Sequence, residues 1–230
     1  MTKIDTDSDW VLRLDADEYF TSKLVTEINK CLVDIPINYN GVYFGRRIYF
    51  QGSPIKYGGL FPAQVLRLFR YGKGRCENRW MDEHIIVSGS TINFKGELID
   101  DNLNNLSWWT EKHNNYSSRE AVELLNLEHH FMPIESIGPL GASQIAFKRW
   151  IKENIYFHFP VGLRAATYFF YRYIIRFGFL DGKNGASFHF LQGFWYRYLV
   201  DLKVIEVRKY MRVNNTSIKN AIFKVLGIEV

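Results

Sequence analysis

The chain has 230 residues, of which 47% are hydrophobic, so it can bury a core and is not globally disordered. Its two cysteines, Cys31 and Cys76, lack Cys-x-x-Cys spacing, which argues against a disulfide scaffold or a zinc site. The formal net charge of +5 is uneven: residues 1–137 carry 15 Lys/Arg and 19 Asp/Glu, whereas residues 138–230 carry 14 and 5. The acidic part suits metal binding, and the basic, aromatic part suits an anionic surface.

The first predicted element is a buried strand, residues 10–14, that runs into three carboxylates. Asp15, Asp17 and Glu18 follow it, and on an extended backbone Asp15 and Asp17 point to the same side. Two carboxylates this close favour a hard divalent cation, Mg²⁺ or Mn²⁺, which would bring a phosphate-bearing substrate with it. The alternative is an acidic turn that caps the next helix, because motifs this short often arise by chance.

A predicted helix and two predicted strands come next. The helix covers residues 22–33 and the first strand covers residues 41–50. Residues 64–70 alternate polar and apolar, which predicts a half-buried strand with Arg67 on the face opposite its leucines. Arg67 and Arg70 are candidate phosphate ligands beside a metal site. Alternatively, they form an ordinary exposed basic strand face.

A second acidic cluster comprises Trp80, Asp82, Glu83 and His84. An apolar wall such as an indole ring raises the pKa of a neighbouring carboxyl group, which makes that group a useful general base near neutral pH. Asp82 and Glu83 are therefore the candidate bases. The alternative is a solvated loop that happens to be acidic.

Residues 103–127 have helical periodicity. The pattern Ser117-x-x-Glu120 matches a capping box, which predicts that two helices meet near Tyr116. His113 and its neighbour Lys112 are candidate ligands for a metal or a phosphate. The alternative is a surface histidine, which is the commoner role on a helix.

A linker rich in Gly and Pro precedes three further predicted helices, over residues 144–157, 161–177 and 193–211. Arg164, Arg172 and Arg176 are separated by multiples of four on the second of these helices and form one basic stripe among aromatic residues. This stripe and Trp195 are candidate membrane contacts, as in an interfacial amphipathic helix. The alternative is a helix packed on the front domain with its arginines in water.

Taken in order, these motifs resemble bacterial family-2 glycosyltransferases, in particular the branch that builds envelope polysaccharide. They are Asp15-Ala16-Asp17-Glu18, Leu66-Arg67-Leu68-Phe69-Arg70, Trp80-Met81-Asp82-Glu83-His84, Lys112-His113-Asn114-x-Tyr116 and the stretch from Gly178 to Arg197. Their order and spacing carry the resemblance, which spans nearly the whole chain.

The resemblance implies an α/β fold: a GT-A-like, Rossmann-related mixed sheet in residues 1–137, then a membrane-associated helical region in residues 138–230. It implies a metal-dependent, inverting enzyme that transfers a sugar from a nucleotide-sugar donor to a glycan or lipid-linked acceptor. Such an enzyme would be cytoplasmic and peripheral, on the inner face of the cell membrane, where the anionic membrane surface is a further partner.

The resemblance also assigns roles to the residues at the two acidic motifs. Asp17 would be the main ligand of Mg²⁺ or Mn²⁺, and Asp15 would lie nearer the ribose and phosphates. Asp82 or Glu83 would deprotonate the acceptor hydroxyl. The acceptor pocket would be shaped by the aromatic rings at the ends of the second motif, Trp80 and His84.

Family members carry a nucleotide-binding half before the D-x-D strand, whereas only nine residues precede Trp10. We therefore expect this chain to be N-terminally truncated relative to a complete enzyme. A gene fragment, a split protein whose separate partner chain supplies the missing half, and a mis-called start all remain open.

Two rival functions also remain open. One is a non-catalytic remnant that has lost donor binding. The other is a basic module that binds a membrane surface, which the net charge of +9 over residues 138–230 favours. Nucleic acid is not expected as a partner, because the aromatic residues fall on helices and no nucleic-acid-binding motif occurs.

Overall fold

The computed structural model describes residues 8–77, 84–133, 160 and 162–230. The chain is a mixed α/β protein with a curled mixed sheet and a helical C-terminal region. Its contacts divide it into two compact units. Of the described residues, the sheet unit comprises 8–77, 84–103 and 172–186, and the helical unit comprises 104–133, 160, 162–171 and 187–230. The predicted domain boundary, between residues 137 and 138, lies outside the described residues.

The first described elements alternate short and long strands around one helix. They are β1 (Trp10–Leu12), β2 (Glu18–Phe20), α1 (Ser22–Cys31), β3 (Tyr39–Phe50), β4 (Ser53–Pro54), β5 (Ala63–Arg70), β6 (Gly74–Cys76), β7 (Ile85–Val87) and β8 (Ser90–Asp101). The predicted helix and the two predicted strands are confirmed by α1, β3 and β5. β5 is more buried than predicted, because residues 66–69 are all buried rather than alternating.

The later described elements are mostly helical. They are α2 (Leu106–His129), α3 (Leu163–Phe170), a π-helical turn (Tyr171–Ile175), a 3₁₀ turn (Gly178–Asp181), α4 (Gly182–Phe188), a π-helical segment (His189–Trp195), α5 (Tyr196–Val213) and α6 (Ile218–Leu226). The helix predicted over 161–177 is largely confirmed, because helical structure runs without a break from Leu163 to Ile175. Its second half is π-helical, and Phe177 leaves the helix in a left-handed conformation.

The main sheet has the strand order β1-β5-β3-β8-β2, with β4 beside β3. β3 and β8 are parallel, and the other neighbours are antiparallel. In a flat sheet, β1 and β2 would lie about 19 Å apart, four spacings of about 4.8 Å each. Residues 13–17 connect the two strands through a hydrogen-bonded turn that is too short for that distance. The sheet therefore curls, and the turn lies where its two ends approach each other.

The core of the sheet unit forms where α1 packs on the long strands. Leu24 of α1, Phe44 of β3, and Phe94 and Leu98 of β8 are buried together. A Cβ atom at Gly96 would lie 2.4 Å from the Leu24 Cα atom, so the close approach of α1 to β8 requires glycine there. Because α1 follows β2 almost directly, this packing anchors one end of the acidic run.

In the helical unit, α2 packs against α5 and α6. The apolar side chains that meet there are fully or almost fully buried, and they include Val122, Leu125, Val204, Val207 and Ile222. In each of these helices the apolar residues recur every three or four positions, so they lie on one face of the helix.

The prediction that two helices meet near Tyr116 is wrong, because α2 is continuous from Leu106 to His129. The Ser117 hydroxyl donates to the Asn114 carbonyl within the helix at 2.7 Å. Glu120 is instead a buried partner of α5: the Tyr196 hydroxyl donates to its carboxylate at 2.6 Å and Arg197 at 2.5 Å. Tertiary packing, rather than capping, explains both side chains.

Residues 172–186, which we name the return segment, belong to the sheet unit. The Asp181 carboxylate accepts hydrogen bonds from the backbone amides of Lys56 and Tyr57, at 2.9 and 3.1 Å. The Gly58 amide donates to the Arg176 carbonyl at 2.9 Å. Asn184 donates to the Gln51 carbonyl at 3.1 Å. These bonds hold the return segment against residues 51–58, which lie between β3 and β5.

Candidate functional site

The acidic run forms a tight turn rather than the end of a strand. β1 ends at Leu12, and the Glu18 amide donates to the Asp15 carbonyl at 3.0 Å, which closes a four-residue turn. The prediction that Asp15 and Asp17 continue one extended strand is therefore wrong. The physical reason is the sheet order, because the chain must leave β1 at one edge of the sheet and enter β2 at the other edge within a few residues.

Arg67 of β5 holds this turn. Its Nη2 atom lies 2.8 Å from Asp15 Oδ2 and 2.6 Å from Glu18 Oε1. The other Glu18 oxygen accepts the Asp15 amide at 3.1 Å. The Arg67 and Glu18 side chains are 10% and 1% exposed, whereas the Asp15 side chain is 48% exposed. The turn thus combines a buried ion pair with an accessible carboxylate.

The charges around Arg67 favour its protonated form. Burial alone lowers the pKa of this guanidinium, but the hydrogen bond from Arg67 to Glu18 and the negative charge of Glu18 oppose it. Asp15 and Asp100 add to this effect, and the pKa of Arg67 is raised above its ordinary value. Arg67 is therefore a permanent counter-charge for the carboxylates of the turn.

Further acids at the end of β8 border the turn. The Asp101 amide donates to the Asp17 carbonyl at 2.9 Å, and Asp100 is the register partner of Glu18. Arg46 of β3 lies 3.5 Å from Asp100. Asp100 and Asp101 are not among the predicted site residues, because only the pairing of β2 with β8 brings them to the turn. The sequence feature that could have identified them is a second predicted strand that ends in two aspartates.

Asp15 and Asp17 fit a divalent cation at this turn. Asp15 is exposed and Asp17 is partly exposed, and carboxylate oxygens suit Mg²⁺ and Mn²⁺. Among the described residues, no three His, Cys, Asp or Glu side chains form a group that could hold a metal. A cation shared with a phosphate-bearing substrate needs only one or two protein carboxylates, so Asp15 and Asp17 stay the candidate ligands.

Arg67 and Arg70, the predicted phosphate ligands, both bind protein groups, although the buried Arg67 Nε atom has no hydrogen-bond partner among the described residues. Arg67 binds the two carboxylates of the turn. Arg70 donates to the Tyr39 and Ile35 carbonyls at 3.0 and 3.1 Å, and its guanidinium lies 4.5 Å from the centre of the Trp10 ring. The structure therefore gives both arginines a role in holding the fold around the turn.

The second acidic cluster lies mostly outside the described residues. Trp80, Asp82 and Glu83 are not described, so their roles stay predictions. His84 is partly exposed, and its amide donates to the Glu77 carboxylate at 3.3 Å. The Glu77 amide in turn donates to the His84 carbonyl at 2.9 Å, which extends the pairing of β6 with β7.

His113 is packed inside the helical unit rather than placed as a ligand. Its ring stacks on Trp109 with 3.5 Å between ring centres, and meets the Tyr196 ring edge-on at 5.7 Å. Its Nδ1 atom lies 2.8 Å from the Trp109 carbonyl. Burial lowers the pKa of His113, which the backbone hydrogen bond only partly opposes. The imidazole is therefore an uncharged packing group near neutral pH.

This burial makes the helical unit sensitive to acid. The unfolded chain binds a proton at His113 near pH 6.5, whereas the folded chain does so only at lower pH. The stability that neutral His113 provides is therefore complete above pH 6.5 and falls as the pH drops below it. Chemical denaturation at about pH 7.5 and about pH 5.5 should show this loss.

A His113→Phe variant keeps the ring packing and cannot titrate, so its loss of stability over the same pH interval should be smaller. The matched control is His130→Asn, at an exposed left-handed helix cap that asparagine tolerates. An equal pH dependence in wild type and His113→Phe would contradict the assignment.

Lys112, the other predicted ligand on α2, lies beside two aromatic rings. Its Nζ atom is 4.9 Å from the centre of the Trp108 ring and 5.8 Å from that of Tyr116. These residues line an open depression of about 330 Å³ in the helical unit, together with Glu111, Asn115 and Arg119. Lys112 belongs to the helical unit and the acidic turn belongs to the sheet unit.

The predicted membrane contacts do not form one exposed stripe on the protein surface. Arg164 and Arg172 are buried, with 4% and 2% exposure. Arg164 Nε donates to Asp201 Oδ1 at 2.7 Å, which makes a buried ion pair between α3 and α5. Trp195 is partly buried against the helical core. Of the three stripe arginines, only Arg176 is exposed.

Comparison of the chain with protein-family models, with curated proteins and with solved structures finds no match. Within the described residues, no helix has both the length and the apolar character needed to cross a bilayer.

Proposed function

We propose that the chain is the donor-metal and acceptor-side part of a metal-dependent, inverting glycosyltransferase with a GT-A-like sheet. It would transfer a sugar from a nucleotide-sugar to a glycan or lipid-linked acceptor of cell-envelope polysaccharide, at the inner face of the membrane. The observation that carries the proposal is the turn from Asp15 to Glu18, which the buried pair of Arg67 and Glu18 supports. The order of the sequence motifs supports the same function.

The turn suits a cation that also binds a diphosphate. Arg67 neutralises Glu18 and part of the charge of Asp15, so the carboxylates can lie close together at a smaller cost in repulsion. Asp17 and Asp15 would hold the Mg²⁺ or Mn²⁺. When bound, this ion supplies positive charge that offsets the charge developing on the departing nucleoside diphosphate.

Acceptor activation is assigned to the second acidic motif. Asp82 or Glu83 would take the proton of the attacking hydroxyl, which raises the nucleophilicity of the oxygen during transfer. Inversion follows from a single displacement, in which the acceptor oxygen attacks the face of the sugar opposite the diphosphate.

Calorimetric titration of the chain with nucleotide-sugars in the presence of Mn²⁺ tests the proposal. We expect heat of binding that requires Mn²⁺, and an Asp17→Ala variant that binds at least about tenfold more weakly, since even residues that only support a metal ligand have effects of this size. The matched control is Asp34→Ala, an exposed aspartate at the end of α1.

Equal binding by wild type and Asp17→Ala would contradict the metal assignment. Absence of heat with Mn²⁺ and every donor would instead favour the non-catalytic remnant. A loss in Asp34→Ala as large as that in Asp17→Ala would indicate a general effect of charge rather than a site.

A further inference from the structure

We infer that an apolar patch on the return segment inserts into the headgroup region of an anionic membrane. The side chains of the patch are each 43–57% exposed, and they are Ile174, Ile175, Phe177, Phe179 and Leu180. Apolar residues exposed singly are common on protein surfaces, whereas a contiguous group of them marks an interaction surface.

The backbone presents this patch on a sharp turn. The π-helical turn ends at Ile175, Phe177 takes a left-handed conformation with φ of 58°, and the 3₁₀ turn starts at Gly178. A left-handed conformation is unfavourable for a bulky residue, and such conformations concentrate at functional positions. Phe177 remains 57% exposed, so packing against the described residues does not explain why an aromatic residue occupies this position.

The aromatic rings of the patch support one another at the surface. Phe177 and Phe179 meet edge-to-face with 6.2 Å between ring centres, and Tyr173 meets Phe179 at 6.3 Å. The hydrogen bonds of Asp181 and Arg176 to the loop after β4 hold the backbone of the segment in place. The patch is thus a preformed surface, and binding would not have to order it.

Charge favours an anionic lipid surface as the partner. Arg176 and Lys183 are exposed on the same segment. Its acid, Asp181, accepts hydrogen bonds from two backbone amides. Aromatic side chains bordered by Lys and Arg are typical of the membrane–water interface, where the rings enter the headgroup region and the cations meet lipid phosphates. The return segment, rather than the buried Arg164 and Arg172, therefore provides the membrane contact.

Sedimentation of the full chain with sucrose-loaded vesicles tests this inference, which is independent of donor binding. Wild type should sediment with vesicles of phosphatidylcholine and phosphatidylglycerol, and less with phosphatidylcholine alone. A Phe177→Asn/Leu180→Gln variant should bind at least about tenfold more weakly. Asparagine is chosen at position 177 because it tolerates the left-handed conformation.

The matched control is Val33→Gln/Ile37→Gln, which removes two apolar side chains that are 90% and 81% exposed elsewhere in the sheet unit. It should bind like wild type. A second variant, Arg176→Gln/Lys183→Gln, leaves the apolar patch intact and should lose about tenfold in affinity for the anionic vesicles only. Circular dichroism and thermal unfolding of every variant report on its fold.

Equal sedimentation of Phe177→Asn/Leu180→Gln and wild type would overturn the inference, as would an equal loss in the control. Sedimentation velocity without vesicles tests whether a second copy of the chain binds the patch instead. A wild-type dimer that this variant dissociates would assign the patch to self-association instead. Normal Mn²⁺-dependent donor binding in the variant would separate the membrane surface from the proposed transferase site.

Discussion

Replacing Arg67 with methionine is expected to destabilise the sheet unit by about 3–5 kcal/mol, the usual cost of removing one partner of a buried ion pair. The Glu18 side chain is 1% exposed and would keep its charge without the guanidinium that offsets it. The Asp15 carboxylate would also lose its 2.8 Å contact with Arg67. We therefore expect both lower stability and weaker donor binding, measured by urea unfolding and by calorimetry with Mn²⁺.

A second substitution separates these two effects. In Arg67→Met/Glu18→Met both charges are gone, and replacement of a whole buried pair by apolar side chains is often nearly neutral. This double variant should regain most of the stability, whereas donor binding should stay weak if Arg67 positions Asp15. Arg75→Met, at an exposed arginine, is the control and should change stability by less than about 0.5 kcal/mol. Full donor binding by the stable double variant would contradict the positioning role.

Replacing Asp201 with leucine is expected to destabilise the helical unit by a similar amount, about 3–5 kcal/mol. Arg164 and Asp201 are 4% and 1% exposed, and the pair connects α3 with α5. Loss of the carboxylate also removes an acceptor for the Gly162 amide, which lies 3.4 Å from Asp201 Oδ2. Urea unfolding measures the loss, with far-ultraviolet circular dichroism as the signal for helix content.

The double variant Arg164→Met/Asp201→Leu should recover much of this loss, because it buries no unpaired charge. Arg208→Met is the control, since Arg208 pairs with Glu128 at the surface with both side chains more than 30% exposed. Exposed pairs contribute about 0–1 kcal/mol. If Asp201→Leu cost no more than Arg208→Met, the pair between α3 and α5 would not be a structural tie.

Elements whose apolar pattern is local could be predicted from the sequence. The alternation in residues 64–70 and the helical spacing after Ser22 reproduce β5 and α1. In both cases the side chains that decide the structure lie within one turn or one strand, and burial then reinforces the local preference.

The shape of the acidic turn could not be predicted, because its determinants are distant in sequence. Leu14 continues the apolar pattern of β1, yet the strand ends two residues earlier, where pairing with β5 stops. The partner of Asp15 and Glu18 is about 50 residues away. The sequence motif contains both Asp15 and Glu18. Only the strand order of the sheet shows that Arg67 binds both carboxylates.

The failed capping box has the same kind of cause. Ser117 and Glu120 have the residue types of a helix start, but both are buried, at 0% and 4% exposure. Contacts with α5 provide partners for Glu120. The helix therefore continues past Ser117, although the local sequence pattern is that of a helix N-terminus. The basic stripe failed because Arg164 pairs with Asp201, which lies 37 residues away on α5, and the fourfold spacing does not show that this side chain is buried.

The return segment has a consequence for how the chain matures. Residues 172–186 complete the sheet unit, although residues 104–133 and 162–171 of the helical unit precede them in the chain. No single cleavage can therefore separate the two units intact. On the ribosome, the amides of Lys56 and Tyr57 gain their acceptor, Asp181, only after another 124 or 125 residues have been synthesised. The sheet can begin to form early, but these hydrogen bonds form only after residues 104–171 have been added to the chain.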